Sequence, residues 1–239
     1  DSRLQDLCEK FETKRVEYHI PGMALAVIHH GEVILSRGFG VADLESGRKV
    51  GPETLFAIGS TTKAFTATAV GILVDEGKME WDDPVANFLP GFDLAIKTKD
   101  EDARLEMTDI LSHRTGFPRM SVLFASGNAN RNQILEAAGK AKPWKTFRRN
   151  FYYSNVQFLA AGQAVGAAAN TTWDEFVQQR IFKPLGMEHS FTTIPGTKEN
   201  SISSKGYIWK QEDARHNLLT PRDLSNIGPD GSINSNISD

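Results

Sequence analysis

FAIGSTTKAFTATAVGILVDEGK, residues 56–78, places a serine, two threonines and a lysine at the mouth of a run that is otherwise almost wholly apolar. Residues 64–74 fall well short of the roughly 20 that a membrane-spanning helix needs and are interrupted by threonines, so they predict a buried helix. Ser60 and Lys63 stand three apart, which on a helix puts them on one face with Cβ atoms about 5–6 Å apart. A serine hydroxyl is a poor nucleophile at neutral pH, and an adjacent amine kept neutral by burial or by a second base can take its proton. A helix N-terminus also favours negative charge, so the Ser60 backbone N–H suits an oxyanion formed by attack on a carbonyl. Gly59, just before, lets a substrate approach closely. The blander reading is an N-cap serine. Against it stands Lys63, whose helix continues as AFTATAVGILV, because burying an ammonium requires a reason. A second Ser-x-x-Lys, Ser46-Gly47-Arg48-Lys49, lies in a polar, glycine-containing stretch and opens no helix.

The rest of the composition narrows the function classes. The chain has 239 residues, 40% hydrophobic and 24% charged, enough for a real core and one domain or two closely joined lobes. A net charge of -3, with charges scattered along the chain, offers no basic field for a nucleic-acid backbone. No nucleic-acid partner and no membrane span are expected. Cys8 is the single cysteine, so no internal disulfide forms and the redox compartment stays open. The stretch DSRLQDLCEK is polar and does not read as a targeting segment. Localisation is periplasmic or secreted if a signal peptide has been removed, and cytoplasmic otherwise.

Along the chain the layout is mixed. Leu4, Leu7, Phe11 and Val16 recur at near-helical spacing and predict a first amphipathic helix ending before Pro21. A hairpin follows, with residues 22–28 and 33–37 as strands and His29-His30-Gly31-Glu32 as the turn. The paired histidines read as turn residues, since no His, Cys or carboxylate stands at a metal-ligand spacing from them. Neither metal nor cofactor is expected. Helical patterns then cover 60–76, a short piece at 85–88, 132–140, 156–168 and 173–182. After Pro184-Leu185-Gly186 the chain turns polar, with a β-like piece at Gly206-Tyr207-Ile208-Trp209. The second chemical element is Tyr153-Ser154-Asn155, where a phenol and an amide two apart precede an apolar helix and can face one cleft.

Together these blocks resemble the serine β-lactamase and penicillin-binding-protein superfamily, on the branch of class C β-lactamases, D-aminopeptidases and related carboxylesterases, for which S-x-x-K is a catalytic signature. Seven blocks occur in family order. They are Ile20 to Val27, Gly38 to Asp43, Phe56 to Lys63, Glu76-Gly77-Lys78 with Trp81 to Val85, Leu111-Ser112-His113-Arg114-Thr115-Gly116, Tyr153-Ser154-Asn155, and Ile181 to Met187. The resemblance implies an α/β (α+β) β-lactamase/transpeptidase-like fold: an antiparallel sheet flanked by helices, a helical lobe, and the active site between them. It divides one catalytic unit into an N-terminal helix and hairpin at 1–58, a helical lobe at 59–190, and a return segment at 191–239. It makes Ser60 the acylated nucleophile, Lys63 its proton partner, Tyr153 the base that activates the deacylating water, and Asn155 a ligand of the substrate's carbonyl or amide side chain. Whether Lys63 or Tyr153 takes the first proton stays open, because the two titrations are coupled. His113 belongs to a block that is structural in the family.

The implied activity is a serine hydrolase working through an acyl-enzyme on a small-molecule or peptide substrate: an ester, an amide, a D-amino-acid peptide or a β-lactam. One departure motivates an alternative. The family's third motif, Lys-Thr-Gly or His-x-Gly after the tyrosine, supplies a second oxyanion N–H and is not found; Arg114-Thr115-Gly116 precedes Tyr153. GPDGSINSNISD resembles the segment that leads into a further helix, with Ser238-Asp239 as its N-cap. The expectation is therefore that the C-terminal part of the fold is absent from this chain or carried by a separate one, leaving a sheet edge and an apolar face exposed. The alternative function is a non-catalytic ligand-binding or scaffold protein with the same fold. A scaffold has no need of Ser60, Lys63 and Tyr153 together.

Overall fold

The computed structural model of the protein describes residues 2–92, 94–193, 202–220 and 222–239, so part of the 191–239 return segment lies outside the described residues. Helix α1 (Ser2–Glu17) leads into the antiparallel hairpin β1 (Gly22–His29) and β2 (Glu32–Gly40). The turn between them falls on His30 and Gly31, both at positive φ, which explains why a short loop with glycine follows the histidine pair. Two further two-stranded ladders are present beside isolated bridges such as Leu55 with Ser203. The ladders are β3 (Phe56–Ala57) with β6 (Asn234–Ser235), and β4 (Tyr207–Lys210) with β5 (Arg215–Leu218).

The helices are α2 (Thr62–Asp75), α3 (Met107–Leu111), α4 (Arg131–Gly139), α5 (Asn155–Ala169), α6 (Trp173–Val177), α7 (Lys183–Leu185) and α8 (Gly228–Gly231). A single 3₁₀ turn, Gly59–Thr61, runs directly into α2, and the helical piece expected at 85–88 is also 3₁₀, Val85–Asn87. The helical pattern at 173–182 splits, because α6 is followed by a π-helical run, Gln178–Phe182. Pro184 explains the wider turn: its ring crowds the carbonyl four residues earlier, and it offers no N–H to Arg180.

The core lies in the helical lobe. Val70 and Leu73 of α2, Val156, Leu159 and Val165 of α5, and Trp173 and Phe182 are all essentially inaccessible. Helices α2 and α5 are apolar on nearly all sides because other elements cover both. Each fully buried aliphatic or aromatic side chain contributes about 1.5–3 kcal/mol. The hairpin is much less covered, with Ile28, Val33 and Ile34 exposed. A groove of about 1020 Å³ runs between α1 and β2, lined in part by Leu4, Cys8, Leu35 and Phe39.

Two glycines matter to the site. Gly59 has φ +52, a conformation costly for any side chain, and it turns the chain from β3 into the Ser60 turn. Gly162 faces Pro229 so closely that an added Cβ would lie 2.2 Å from the proline Cγ, so its missing side chain lets the 228–231 helix seat on α5.

Candidate active site

Ser60 sits in the middle of the 3₁₀ turn and is exposed, while Lys63, one turn along, is buried at 8% exposure. The Ser60 hydroxyl closes no helix end as a cap would; it meets two other groups. Lys63 Nζ donates to Ser60 Oγ at 3.1 Å, and Tyr153 Oη lies 2.6 Å from the same oxygen. The Tyr153 contact joins residues 93 apart in sequence. The lysine ammonium also lies 4.7 Å from the centre of the Tyr153 ring and 5.5 Å from that of Phe158. Three of the predicted site residues therefore converge on one oxygen.

Tyr153 is held by the block containing His113. His113 takes positive φ, its carbonyl accepts the Tyr152 N–H at 2.8 Å, and its Nδ1 accepts the Ser154 N–H at 3.2 Å. That last bond needs an unprotonated Nδ1. The surroundings supply one: burial first, and then the Lys63 charge, push the His113 pKa down to about 4. The segment carrying His113 is fixed in turn by Asp109, fully buried, which accepts from Arg114 Nε at 2.5 Å and from Arg148 Nε and Nη2 at 2.8 and 2.9 Å.

Asn155 opens α5 immediately after Tyr153 and Ser154. Its side-chain oxygen is buried and has no hydrogen-bond partner among the described residues. That oxygen is an unused acceptor two residues after Tyr153. The Arg119 guanidinium carbon lies 5.3 Å from the Tyr153 ring centre.

One participant escaped the sequence reading altogether. Asp230 of α8 is buried at 4% exposure and presents both its carboxylate Oδ1 and its backbone carbonyl to Lys63 Nζ, the latter at 3.0 Å. Burial pushes the Asp230 carboxyl up, with the Lys63 ammonium pulling against it. Nothing local marked it, since Gly-Pro-Asp-Gly reads as a turn. Ser46 of the second Ser-x-x-Lys donates to Asp43 Oδ2 at 2.8 Å within a turn. Near the other end, the Asn236 side-chain oxygen accepts from the N–H groups of Ser238 and Asp239, at 2.9 Å each. Among the described residues no group of three or more His, Cys, Asp or Glu could hold a metal ion, and no helix is long and apolar enough to cross a membrane.

Comparison with known proteins bears on this arrangement. The family model described as Beta-lactamase matches residues 8–239. The chain belongs to the beta-lactamase family. Among its relatives in that family, unguisins hydrolase ungD' of Aspergillus campestris is 28% identical over 98% of this chain and 45% of its own length. Penicillin-binding protein 4 of Amycolatopsis lactamdurans is 31% identical over 77% of this chain and 48% of its own length. The chain thus spans about half the length of these relatives. Among solved structures, the octameric penicillin-binding protein homologue from Pyrococcus abyssi superposes with a TM-score of 0.80 at 26% identity, covering 98% of this chain and 54% of that one. The D-amino acid amidase from Ochrobactrum anthropi, at TM-score 0.81 and 23% identity over 98% of this chain and 66% of that one, shares the fold. The beta-lactamase/transpeptidase-like fold is therefore that of a serine-hydrolase-like family whose relatives are named as hydrolases and penicillin-binding proteins.

Proposed function

We propose that the protein is a serine hydrolase that forms an acyl-enzyme at Ser60, acting on an ester, an amide, a D-amino-acid peptide or a β-lactam. The observation that carries this reading is the position of Ser60 Oγ, 3.1 Å from Lys63 Nζ and 2.6 Å from Tyr153 Oη. Residues 1–58, 59–190 and 191–239 act as one catalytic unit in it. In the first half-reaction the Ser60 O–H bond breaks and Oγ bonds to the substrate carbonyl carbon. The carbonyl electron pair moves onto oxygen and returns as the leaving group departs with a proton. Water then repeats the sequence on the ester, with Tyr153 taking its proton. The Ser60 N–H, at the start of the helical run 59–75, faces the developing oxyanion, where one such donor is worth about 10²–10³ in rate. Asn155, with its unmet acceptor, binds the substrate's amide side chain.

The names of the relatives, a hydrolase and a penicillin-binding protein, agree with an acyl-transfer substrate. A scaffold without turnover has no use for a buried lysine and a phenol on the same serine oxygen. The test is mass spectrometry after exposure to a fluorophosphonate and to a penicillin, with flanking sequence beyond these residues left in place. One adduct is expected on the peptide containing Ser60, lost in Ser60→Ala and lost in Lys63→Met with the circular dichroism spectrum unchanged. An adduct that survives Ser60→Ala removes this serine from the mechanism.

A further inference from the structure

We propose that the exposed loop 141–151, AKPWKTFRRNF, docks the protein on an anionic lipid surface, its lysines and arginines meeting the headgroups and its outward aromatic rings entering the interfacial layer. The proposal stands apart from the reading of Ser60 as nucleophile.

Over the whole chain acids slightly outnumber bases, 30 to 27, but residues 113–153 reverse that balance, with eight lysines and arginines against one glutamate. Four of the eight are spent inside the fold. Arg114 and Arg148 bind Asp109, Arg131 binds Asp174, and Lys140 binds Glu136. The other four, Arg119, Lys142, Lys145 and Arg149, are exposed and have no acid within ion-pair distance among the described residues. Three of them lie in the loop, interleaved with Trp144 and Phe151, each 68% exposed. A single large apolar side chain in water is ordinary. Two rings in one short segment that carries unpaired cations and no acid require a reason.

The exposure is built in. The loop has no helix or strand of its own, yet its backbone is tied down: the Trp144 and Lys145 N–H groups donate to the Gly116 carbonyl at 3.0 and 3.1 Å, Phe147 N–H to the Lys97 carbonyl at 2.9 Å, and Arg148 N–H to the Arg114 carbonyl at 2.8 Å. Gly116 permits that approach, since a Cβ there would lie 2.4 Å from the Lys145 carbonyl oxygen. Phe147, at 5% exposure, is the anchor that turns inward, and Arg148 is held by Asp109. The residues on either side of that anchor stay in solvent.

Charge and amphipathic chemistry together select the occupant. An indole suits the boundary between an apolar layer and water, and grouped lysines and arginines concentrate a protein on anionic headgroups. An acidic peptide would answer the cations and leave the rings in water. A nucleic acid would need a longer basic track than one loop supplies in a chain of net charge -3. Tyr152 and Tyr153 follow the loop directly, so a docked loop holds the Ser60 cleft near the headgroups.

The experiment is co-sedimentation of the protein, with any flanking sequence retained, with vesicles of phosphatidylcholine alone and of phosphatidylcholine containing about one-third phosphatidylserine, at about 0.1 M salt. Binding to the anionic vesicles alone is expected, weakening as salt is raised. At roughly fivefold per charge, the triple variant Lys142→Ala/Lys145→Ala/Arg149→Ala should bind roughly a hundredfold more weakly. Tryptophan fluorescence of the bound parent should be quenched by lipids brominated on the acyl chains, and Trp144→Phe should lose most of that quenching. Equal binding to neutral vesicles, no binding to either kind, a triple variant that binds like the parent, or quenching unchanged in Trp144→Phe overturns the proposal. So does displacement of the vesicles by an equal charge concentration of poly-glutamate, which would make the loop an acidic-peptide site. Should the triple variant fail to fold, the parent's salt dependence and the Trp144→Phe quenching decide. Fluorophosphonate labelling of Ser60 without vesicles is expected to be the same in parent and triple variant, so a failure here leaves the nucleophile standing.

Discussion

Acid should loosen this protein through His113 before it reaches any ordinary carboxylate. His113 is buried between Phe151, Tyr153 and Phe158, and its Nδ1 must stay unprotonated to receive the Ser154 N–H. Its native pKa is near 4, against an ordinary value of 6.5. The unfolded chain therefore takes up a proton below about pH 6.5 that the native state refuses until pH 4. The direction follows from that difference: the stabilisation is fully present above 6.5 and is lost as pH falls through 6.5 towards 4. At about 1.4 kcal/mol per tenfold in proton affinity, the whole gap corresponds to roughly 3 kcal/mol. About 2 kcal/mol of it should be gone between pH 7 and pH 5. The assay is urea unfolding at pH 7, 6 and 5 for the parent and for His113→Asn, since asparagine tolerates positive φ and offers an acceptor to Ser154. The variant should be less stable at pH 7 and show a shallower acid slope, with other titrating groups cancelling in the comparison. Parallel slopes in the two proteins would refute the reasoning.

Two further substitutions probe how the site is supported. Gly162→Ala drives a methyl into Pro229 and should cost about 1–3 kcal/mol in a thermal melt, with a slower Ser60 labelling rate because Asp230 shifts away from Lys63; an unchanged rate alongside a lowered melting temperature would confine the effect to packing. Asp109→Ala strips the shared counter-ion from Arg114 and Arg148 and should cost about 3 kcal/mol in urea, since both arginines keep partial contact with water. Full stability in that variant would show that the pair of bridges contributes nothing to holding the His113 segment.

Much of the fold could be read from local chemistry. The first helix shows in Leu4, Leu7, Phe11 and Val16, the hairpin turn in His30 and Gly31, and the buried helices in the unbroken apolar runs of α2 and α5. Ser60 and Lys63 were legible for the same reason, because one helical turn between two residues is a statement about spacing. Two-residue ladders such as β3 with β6 were not, since Phe56 and Ser235 pair across most of the chain and two residues carry no alternation.

The sequence by itself singled out a serine, an amine one helical turn away and a phenol as chemical types in ordered blocks. Only the tertiary structure decided which charge answers the lysine. Asp230 stands 167 residues from Lys63, and it arrives there because a missing side chain at Gly162 and the hydroxyls of Thr62 and Thr66 fix where its backbone must run. A contact made by packing between distant segments leaves no period to find, and a carboxylate flanked by proline and glycine looks like any turn until the helix opposite it is in place.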